Sequence, residues 1–219
     1  MPNKKFDLIV FDWDGTLMDS TAAIVDSLQE AATELSLPVP DRKRAAHIIG
    51  LGIREAWEAI FPGLDEALYP QLVALYRKHY LVNSTKITLF EGAKAMLEEL
   101  VSCGYLLAVA TGKSRRGLNR AMAETGITAC FDGTRTVDES FSKPHPSMLL
   151  ELSNDLQVPV NRMLMVGDTG HDLLMAKNAG VASVGVSYGA HPMKELEKFS
   201  PLYIAESVPS LRQWLLANA

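Results

Sequence analysis

Four short apolar runs recur along the chain, at residues 8–11, 106–110, 163–166 and 182–186. A continuous apolar run of this length, unlike an alternating one, is typical of a strand buried on both faces. Such strands are found in parallel sheets that are covered by helices on both sides. The hydrophobic pattern therefore predicts a parallel sheet built from four well-separated segments.

Helical patterns lie between these runs. Ala93, Leu97 and Leu100 have helical spacing, and Gly104 is placed to end that helix. Glycines at 126 and 180 are expected to end two further helices, and a fourth pattern starts near residues 144–146. Residues 202–204 and 211–216 are interpreted as a last edge strand and a closing helix. Alternating strands and helices predict a doubly wound α/β core.

Residues 18–89 do not follow this alternation. They contain helical stripes, such as Ile24, Leu28 and Ala31, behind a helix start at Ser20 or Thr21. Prolines and glycines divide the segment into about four helices. We therefore expect a core domain formed by residues 1–17 and 90–219, with an all-helical domain, residues 18–89, inserted after the first strand.

Composition narrows the class of protein. The chain has 219 residues, is 47% hydrophobic and 21% charged, and carries a formal net charge of -5. These values are ordinary for a soluble globular protein and do not favour nucleic acid or a membrane as a partner. The two cysteines, Cys103 and Cys130, fit neither a disulfide framework nor a zinc site. We predict a cytoplasmic protein, either a monomer or a homodimer.

Polar residues follow three of the apolar runs. Asp12 and Asp14 come after the first run, Thr111 and Gly112 after the second, and Asp168 after the third. The carboxyl ends of parallel strands lie along one edge of a sheet, where ligands bind. The pattern thus predicts a site at this edge. The alternative for Asp12 and Asp14 is an ordinary polar turn after a strand.

Lys143 lies between Ser142 and Pro144, close to a predicted helix start. A helix N-terminus does not favour a cation, so this lysine is better explained if negative charge lies opposite it. The alternative is a surface lysine without a function.

Taken together, these motifs resemble those of the haloacid dehalogenase superfamily, and within it the phosphatases similar to phosphoglycolate phosphatase. The matching segments are residues 11–20, 110–113, 142–144, 167–172 and 178–180. They occur in the family's order over nearly the whole chain. The resemblance implies a Rossmann-like core, and the helical insertion resembles the family's mobile cap.

The resemblance also implies a mechanism. Asp12 would be the nucleophile that forms an aspartyl phosphate, and Asp14 would be the general acid and base. Thr111 and the amide of Gly112 would bind the phosphoryl oxygens, and Lys143 would bridge phosphate and nucleophile. A carboxylate attacks phosphorus poorly unless the charge repulsion between them is relieved, which a metal ion and a lysine can do.

The implied cofactor is Mg²⁺, held by Asp12, the backbone carbonyl of Asp14, and Asp168. Oxygen ligands with retained waters are what this ion prefers. Asp172 would support the metal site from outside. The alternative for Asp172 is an acid that stabilises the first turn of a helix.

The predicted function is Mg²⁺-dependent hydrolysis of a small phosphate monoester similar to phosphoglycolate. A sugar phosphomutase and a non-catalytic binding protein with the same fold are the alternatives. Arg54 follows Gly50 and Gly52 in the helical insertion. It is expected either to contact a substrate carboxylate or second phosphate, or to face solvent.

Overall fold

The structure, a computed structural model, describes residues 4–219. Its centre is a sheet of six parallel strands in the order β3-β2-β1-β4-β5-β6. The strands are β1 (Leu8–Phe11), β2 (Leu106–Thr111), β3 (Gly133–Thr136), β4 (Met163–Gly167), β5 (Ala182–Val186) and β6 (Ile204–Ala205). The predicted parallel sheet is confirmed. β1 lies in the middle and pairs with β2 on one side and with β4 on the other.

Two strands differ from the prediction. β3 was not predicted, because its sequence Gly-Thr-Arg-Thr contains no apolar residue. It lies at the edge of the sheet, where β2 is its one strand partner among residues 4–219, so it does not need an apolar run. The last strand begins at Ile204 rather than at residue 202, since its pairing with β5 starts at Gly185 and Ile204.

Helices cover both faces of the sheet. Helices α5 (Ala93–Ser102), α6 (Arg115–Thr125) and α10 (Val208–Asn218) pack on one face, which includes Ile9 and Phe11. Helices α7 (Ser147–Asp155) and α8 (Gly170–Ala179) pack on the other face, which includes Leu8 and Val10. Short α9 (Met193–Leu196) precedes β6. The predicted doubly wound α/β architecture is confirmed.

The predicted glycine stops are found where helices end. Gly126 and Gly180 follow α6 and α8 with φ of 68° and 70°, a left-handed conformation that glycine adopts without strain.

The segment between β1 and α5 is helical. It contains α1 (Thr21–Glu34), α2 (Arg42–His47), α3 (Ile53–Ile60) and α4 (Tyr69–Asn83), with short 3₁₀ turns at Glu66–Leu68 and Ser84–Lys86. These helices bury an apolar cluster of their own, centred on Leu28, Trp57 and Leu72. We call residues 18–89 the helical segment.

The two ends of the helical segment lie side by side. Met18 forms an isolated bridge with Leu89, and the amide of Phe90 donates to the carbonyl of Leu17 at 3.0 Å. The two connections between the helical segment and the rest of the chain therefore run next to each other. Among the helices of the described residues, none is both long and apolar enough to cross a lipid bilayer. Cys103 and Cys130 are both free thiols.

Candidate active site

Asp12 is the first residue after β1, at the carboxyl edge of the sheet. Its amide donates to the carbonyl of Val166 in β4 at 2.9 Å, which fixes the backbone at the centre of the sheet. Its carboxylate is buried, and one oxygen, Oδ1, accepts from the ammonium of Lys143. The other oxygen, Oδ2, has no hydrogen-bond partner among the described residues. A buried carboxylate oxygen without a partner is costly, which indicates that a ligand belongs there.

Asp168 follows β4 and lies beside Asp12. Its carboxylate accepts from the hydroxyl of Thr16 at 3.0 Å and from the amide of Ala190 at 2.6 Å. Burial and the nearby Asp172 raise the pKa of Asp168 to about 7. Gly15 has a φ of 86°, and a Cβ there would overlap the Asp168 carboxylate. The turn after Asp14 therefore needs a glycine so that the two chain segments can approach each other.

Asp172 makes contacts on two sides. One oxygen, Oδ2, accepts from the amide and the hydroxyl of Thr169 at 3.0 and 2.6 Å, completing a capping box at the start of α8. The other, Oδ1, lies 2.6 Å from the ammonium of Lys143. Asp172 thus stabilises the helix start and forms part of the acidic cluster.

Asp12, Asp168 and Asp172 offer oxygens that all lie within 4.8 Å of one another. All three side chains are buried, and the cation within this group is Lys143. Burial, followed by the attraction of Lys143 and the repulsion of Asp172 and Asp168, leaves the pKa of Asp12 well above its usual value. One ammonium does not balance three buried carboxylates, so the cluster has the charge and the donor atoms to hold a divalent cation.

Lys143 lies where the sequence argument expected a negative charge opposite it. Its side chain is buried and contacts both Asp12 and Asp172. Burial alone lowers the pKa of a lysine, but the two carboxylates outweigh it and raise the pKa of Lys143 above its usual value. A surface position for Lys143 is therefore wrong.

Asp14 points away from this cluster. Both of its carboxylate oxygens accept from the ammonium of Lys113, at 3.0 and 2.9 Å, and Oδ1 also accepts from the hydroxyl of Ser20 at 2.8 Å. Ser20 occupies the N-cap position of α1, as predicted, but its hydroxyl bonds to Asp14 instead of the helix backbone. The hydroxyl of Tyr80, in α4, accepts from Lys113 at 3.1 Å. Asp14 is thus connected through Lys113 to the helical segment.

Thr111 and Gly112 lie at the end of β2, facing the same cleft as Asp12 and Asp14. The Thr111 hydroxyl accepts from the amide of Lys113 at 3.1 Å. A Cβ on Gly112 would lie 2.5 Å from the carbonyl oxygen of Gly50 and 2.6 Å from that of Leu51. Only glycine permits this close approach between the core and the helical segment.

Arg54 also lines the cleft, but its guanidinium is engaged on the outside. It pairs with Glu58 at 3.1 Å and with Glu66 at 3.4 Å, and 66% of its side chain is exposed. A contact with an acidic group of the substrate would require these pairs to open. The role of Arg54 stays a prediction.

The family model of the haloacid dehalogenase-like hydrolases matches residues 9–186. The chain belongs to this family. The hydrolase is 36% identical over 206 residues to a probable phosphatase, IndB, of Dickeya dadantii strain 3937, covering 91% of this chain and 89% of that protein.

Two further relatives of the hydrolase cover nearly all of both chains. A 5′-nucleotidase of Pseudomonas aeruginosa is 33% identical, with 96% of each chain covered. A phosphoglycolate phosphatase of Vibrio vulnificus is 31% identical, with 100% of each chain covered. The prediction of an enzyme of this family, a phosphoric monoester hydrolase, is confirmed.

The fold of the hydrolase is shared with solved structures. A hydrolase from Pseudomonas syringae superimposes with a TM-score of 0.89, covering 97% of this chain and 99% of that chain at 23% identity. At this level of identity the likeness concerns the fold alone.

Three features of the hydrolase's site escaped the sequence argument. Lys113 ends the motif at residues 110–113, but nothing in the sequence indicates its contact with Asp14. Ser20 was predicted only as a helix cap, whereas its hydroxyl donates to Asp14. The carbonyl of His47, at the end of α2, is contacted by Nε2 of His171 at 2.9 Å and of His191 at 3.0 Å. These residues are far apart in sequence, so only the tertiary structure shows that they meet.

Proposed function

We propose that the protein is a Mg²⁺-dependent phosphatase that hydrolyses a small phosphate monoester through an aspartyl-phosphate intermediate. The single observation that carries this proposal is the buried group of Asp12, Asp168, Asp172 and Lys143, in which one Asp12 oxygen has no hydrogen-bond partner among the described residues. Its charge and geometry suit a site that receives a phosphoryl group and a divalent cation.

In the first half-reaction, a carboxylate oxygen of Asp12 attacks the phosphorus atom. The bond from phosphorus to the ester oxygen breaks, and Asp14, which must first leave its ion pair with Lys113 and take up a proton, gives that proton to the departing oxygen. Lys143, already in contact with Asp12, reduces the repulsion between the carboxylate and the phosphoryl oxygens. Thr111 and the amide of Gly112 hold the phosphoryl oxygens.

In the second half-reaction, water attacks the phosphorus atom of the aspartyl phosphate and gives a proton to Asp14. The bond between phosphorus and Asp12 breaks, which returns a free carboxylate and inorganic phosphate. Mg²⁺, held by Asp12, Asp168 and the backbone carbonyl of Asp14 with Asp172 behind them, would neutralise phosphoryl charge when bound.

We propose that the helical segment, residues 18–89, is a cap domain over a core formed by residues 1–17 and 90–219. Its own apolar cluster and the paired connections at Met18 and Leu89 support this division. The cap contacts the core through Tyr80 and Lys113, and through the amide of Gly52, which donates to the hydroxyl of Ser142 at 2.8 Å. Arg54 stays a candidate for binding an acidic group of the substrate.

The relatives named above act, by their names, on different phosphate compounds, and they favour hydrolysis over the phosphomutase alternative. Phosphoglycolate was the substrate suggested by the family resemblance. We therefore propose small phosphate monoesters as the substrates, without restriction to phosphoglycolate.

Purified protein with Mg²⁺ is expected to hydrolyse p-nitrophenyl phosphate, and chelation of the metal should abolish turnover. Asp12→Asn removes the nucleophile and is expected to lower kcat below detection. The matched control is Asp19→Asn, an exposed acid a few residues away, which should keep wild-type turnover. Wild-type turnover in Asp12→Asn would contradict the covalent mechanism. Failure of the wild-type protein to hydrolyse any phosphate ester while binding Mg²⁺ would favour the non-catalytic binding protein.

A further inference from the structure

The cleft above Asp12 is much larger than a small acid phosphate requires. It has a volume of about 780 Å³ and extends from Asp12 and Thr111 at the sheet edge to α3 and α4 of the helical segment. Pockets of roughly 300–1,000 Å³ are typical of sites that enclose ligands of drug size. A leaving group as small as glycolate would leave most of this space to water.

Three aromatic side chains form one wall of the cleft. They are Trp57 in α3, and Tyr76 and Tyr80 in α4. Trp57 meets Tyr76 edge to face with ring centroids 5.8 Å apart, and Tyr76 stacks on Tyr80 at 5.9 Å. These separations are favourable for aromatic pairs, so Tyr76 and Tyr80 are held in place on the cleft side, and Trp57, only 2% exposed, supports them from behind. We call these three residues the aromatic wall.

The aliphatic side chains beside the aromatic wall extend its apolar character. Ile24 and Leu28 of α1 line the same cleft, as do Leu51 and Ile53 near the start of α3. A pocket that is lined mainly by apolar and aromatic groups, with polar groups at one end, is suited to a ligand that has an apolar or aromatic part and a polar group at one end. Here Asp12, Thr111 and Lys113 form a polar end at the carboxyl edge of the sheet, and charged side chains such as Arg54, Arg77 and Arg120 also line the cleft.

The aromatic wall begins beside the residue proposed to protonate the leaving group. The ammonium of Lys113 contacts Asp14 at 2.9 Å, bonds to the hydroxyl of Tyr80 at 3.1 Å, and lies 4.9 Å from the centre of the Tyr80 ring. Asp14 must reach the ester oxygen, to which the rest of the substrate is attached. The part of the substrate that leaves with this oxygen therefore lies toward Tyr80 and Tyr76.

We propose that the enzyme's substrates are phosphate monoesters whose leaving group carries a planar aromatic ring, and that this ring lies against the aromatic wall. The inference rests on the phosphatase function proposed above and assigns its substrate class. Stacking of a planar ring on aromatic side chains typically strengthens binding by about tenfold or more per ring. The wall thus selects ring-bearing esters over ring-free esters with the same phosphate group.

The test compares kcat/KM of the full-length protein with Mg²⁺ on matched esters. Adenosine and uridine 5′-monophosphate and pyridoxal 5′-phosphate carry a ring, whereas ribose 5-phosphate has the sugar and phosphate of the nucleotides without the base. Phosphoglycolate is the second ring-free substrate, and acetyl phosphate reports phosphatase activity in general. We expect at least one ring-bearing ester to exceed both ring-free esters by about tenfold or more in kcat/KM.

Variants of the aromatic wall separate ligand binding from a packing role. Tyr76→Leu removes the ring and is expected to bring the ratio of kcat/KM between the preferred ring-bearing ester and ribose 5-phosphate close to unity. Tyr76→Phe keeps the ring and should restore most of that ratio. Tyr203 stacks on Trp214 and does not line the cleft. Tyr203→Leu is therefore the control and should keep the wild-type ratio.

Two results would overturn the inference, and they are distinguishable. Hydrolysis of acetyl phosphate with ring-bearing esters no better than ring-free ones would overturn the substrate class and leave the phosphatase function intact. Absence of hydrolysis of every ester and of acetyl phosphate would remove the phosphatase function and this inference together. The wild-type comparison decides the substrate class even if Tyr76→Leu does not fold.

Discussion

At the scale of single residues, the site separates two kinds of carboxylate by the cations that they contact. Asp12 and Asp172 share Lys143, whereas Asp14 is paired with Lys113. Burial lowers the pKa of Lys113, but its ion pair with Asp14 outweighs this effect and raises it above its usual value. Lys113 therefore remains charged and holds the Asp14 side chain in one position, apart from the acidic cluster.

If Asp14 is the general acid, its loss should affect substrates differently, according to whether their leaving group needs a proton. An alkyl phosphate needs a proton on its departing oxygen, whereas p-nitrophenolate leaves without one. We expect Asp14→Asn to lower kcat/KM for ribose 5-phosphate by roughly 10²–10⁴-fold and to have a smaller effect on p-nitrophenyl phosphate. Equal losses on both substrates would show that Asp14 has only a structural role.

The same residues show how far sequence reasoning can reach. Asp12, Asp14, Asp168 and Lys143 were found because each follows a strand or lies beside a proline in a short motif. Lys113 lies in the motif at residues 110–113 but was assigned no role of its own, because its partner, Asp14, lies 99 positions away. A contact between side chains so distant in sequence leaves no local pattern.

At the scale of elements, the start of α8 connects the acidic cluster to the helical segment. Nδ1 of His191 accepts from the amide of Gly170 at 3.0 Å, so its Nε2 carries the proton that it donates to the carbonyl of His47 at 3.0 Å. The ring of His47 stacks on that of His191 with centroids 4.6 Å apart. Protonation of Nδ1 would break the bond with Gly170, so this arrangement requires a neutral His191.

This requirement predicts a loss of stability in acid. Burial, opposed by the bond to His47, lowers the pKa of His191 to about 4 in the folded protein, compared with about 6.5 in an unfolded chain. The unfolded state then binds more protons between these values, so the stabilisation is complete above about pH 6.5 and is lost toward pH 4. Its size is about 3 kcal/mol.

His191→Gln keeps a donor and an acceptor but does not titrate. We expect the free energy of unfolding, measured by urea denaturation, to fall less steeply between pH 6.5 and pH 4 in this variant than in the wild-type protein. The exposed His145 provides the control, since His145→Gln should follow the wild-type curve. Parallel curves for the wild-type protein and His191→Gln would contradict the prediction.

Element by element, the strands buried on both faces were predictable and the edge strand was not. β1, β2, β4 and β5 appear in the sequence as apolar runs because helices cover them on both sides. β3 is polar because it is partly exposed and needs only backbone pairing with β2. An edge strand with polar, partly buried side chains therefore has no apolar run that would predict it.

At the scale of the whole molecule, the cleft is formed where the helical segment meets the sheet edge. Backbone of Gly50 and Leu51 packs directly on Gly112, and Gly52 bonds to Ser142. The distance between these two parts of the molecule is thus set by glycine backbone rather than by side chains. It determines how closely the aromatic wall approaches Asp12.

Gly112→Ala is expected to push residues 50–52 away from the sheet edge, because its Cβ would lie 2.5 Å from a carbonyl oxygen. We expect a fall in kcat/KM of about tenfold or more, with a loss of stability of about 1–3 kcal/mol. Hydrogen exchange should show faster exchange at the amide of Gly52, since its bond with Ser142 would break. Wild-type kcat/KM together with unchanged exchange at Gly52 would contradict this prediction.

The sequence by itself determined the parallel core, the helical character of the segment after β1, and the residues that end the strands at one edge. These features follow from the burial pattern and from the turn residues, both of which depend on residues that are adjacent in the sequence. The tertiary structure decided the pairing of Asp14 with Lys113, the meeting of three histidines, and the size and aromatic lining of the cleft. Such features depend on the distance between surfaces brought together by folding, and no local pattern in the chain encodes that distance.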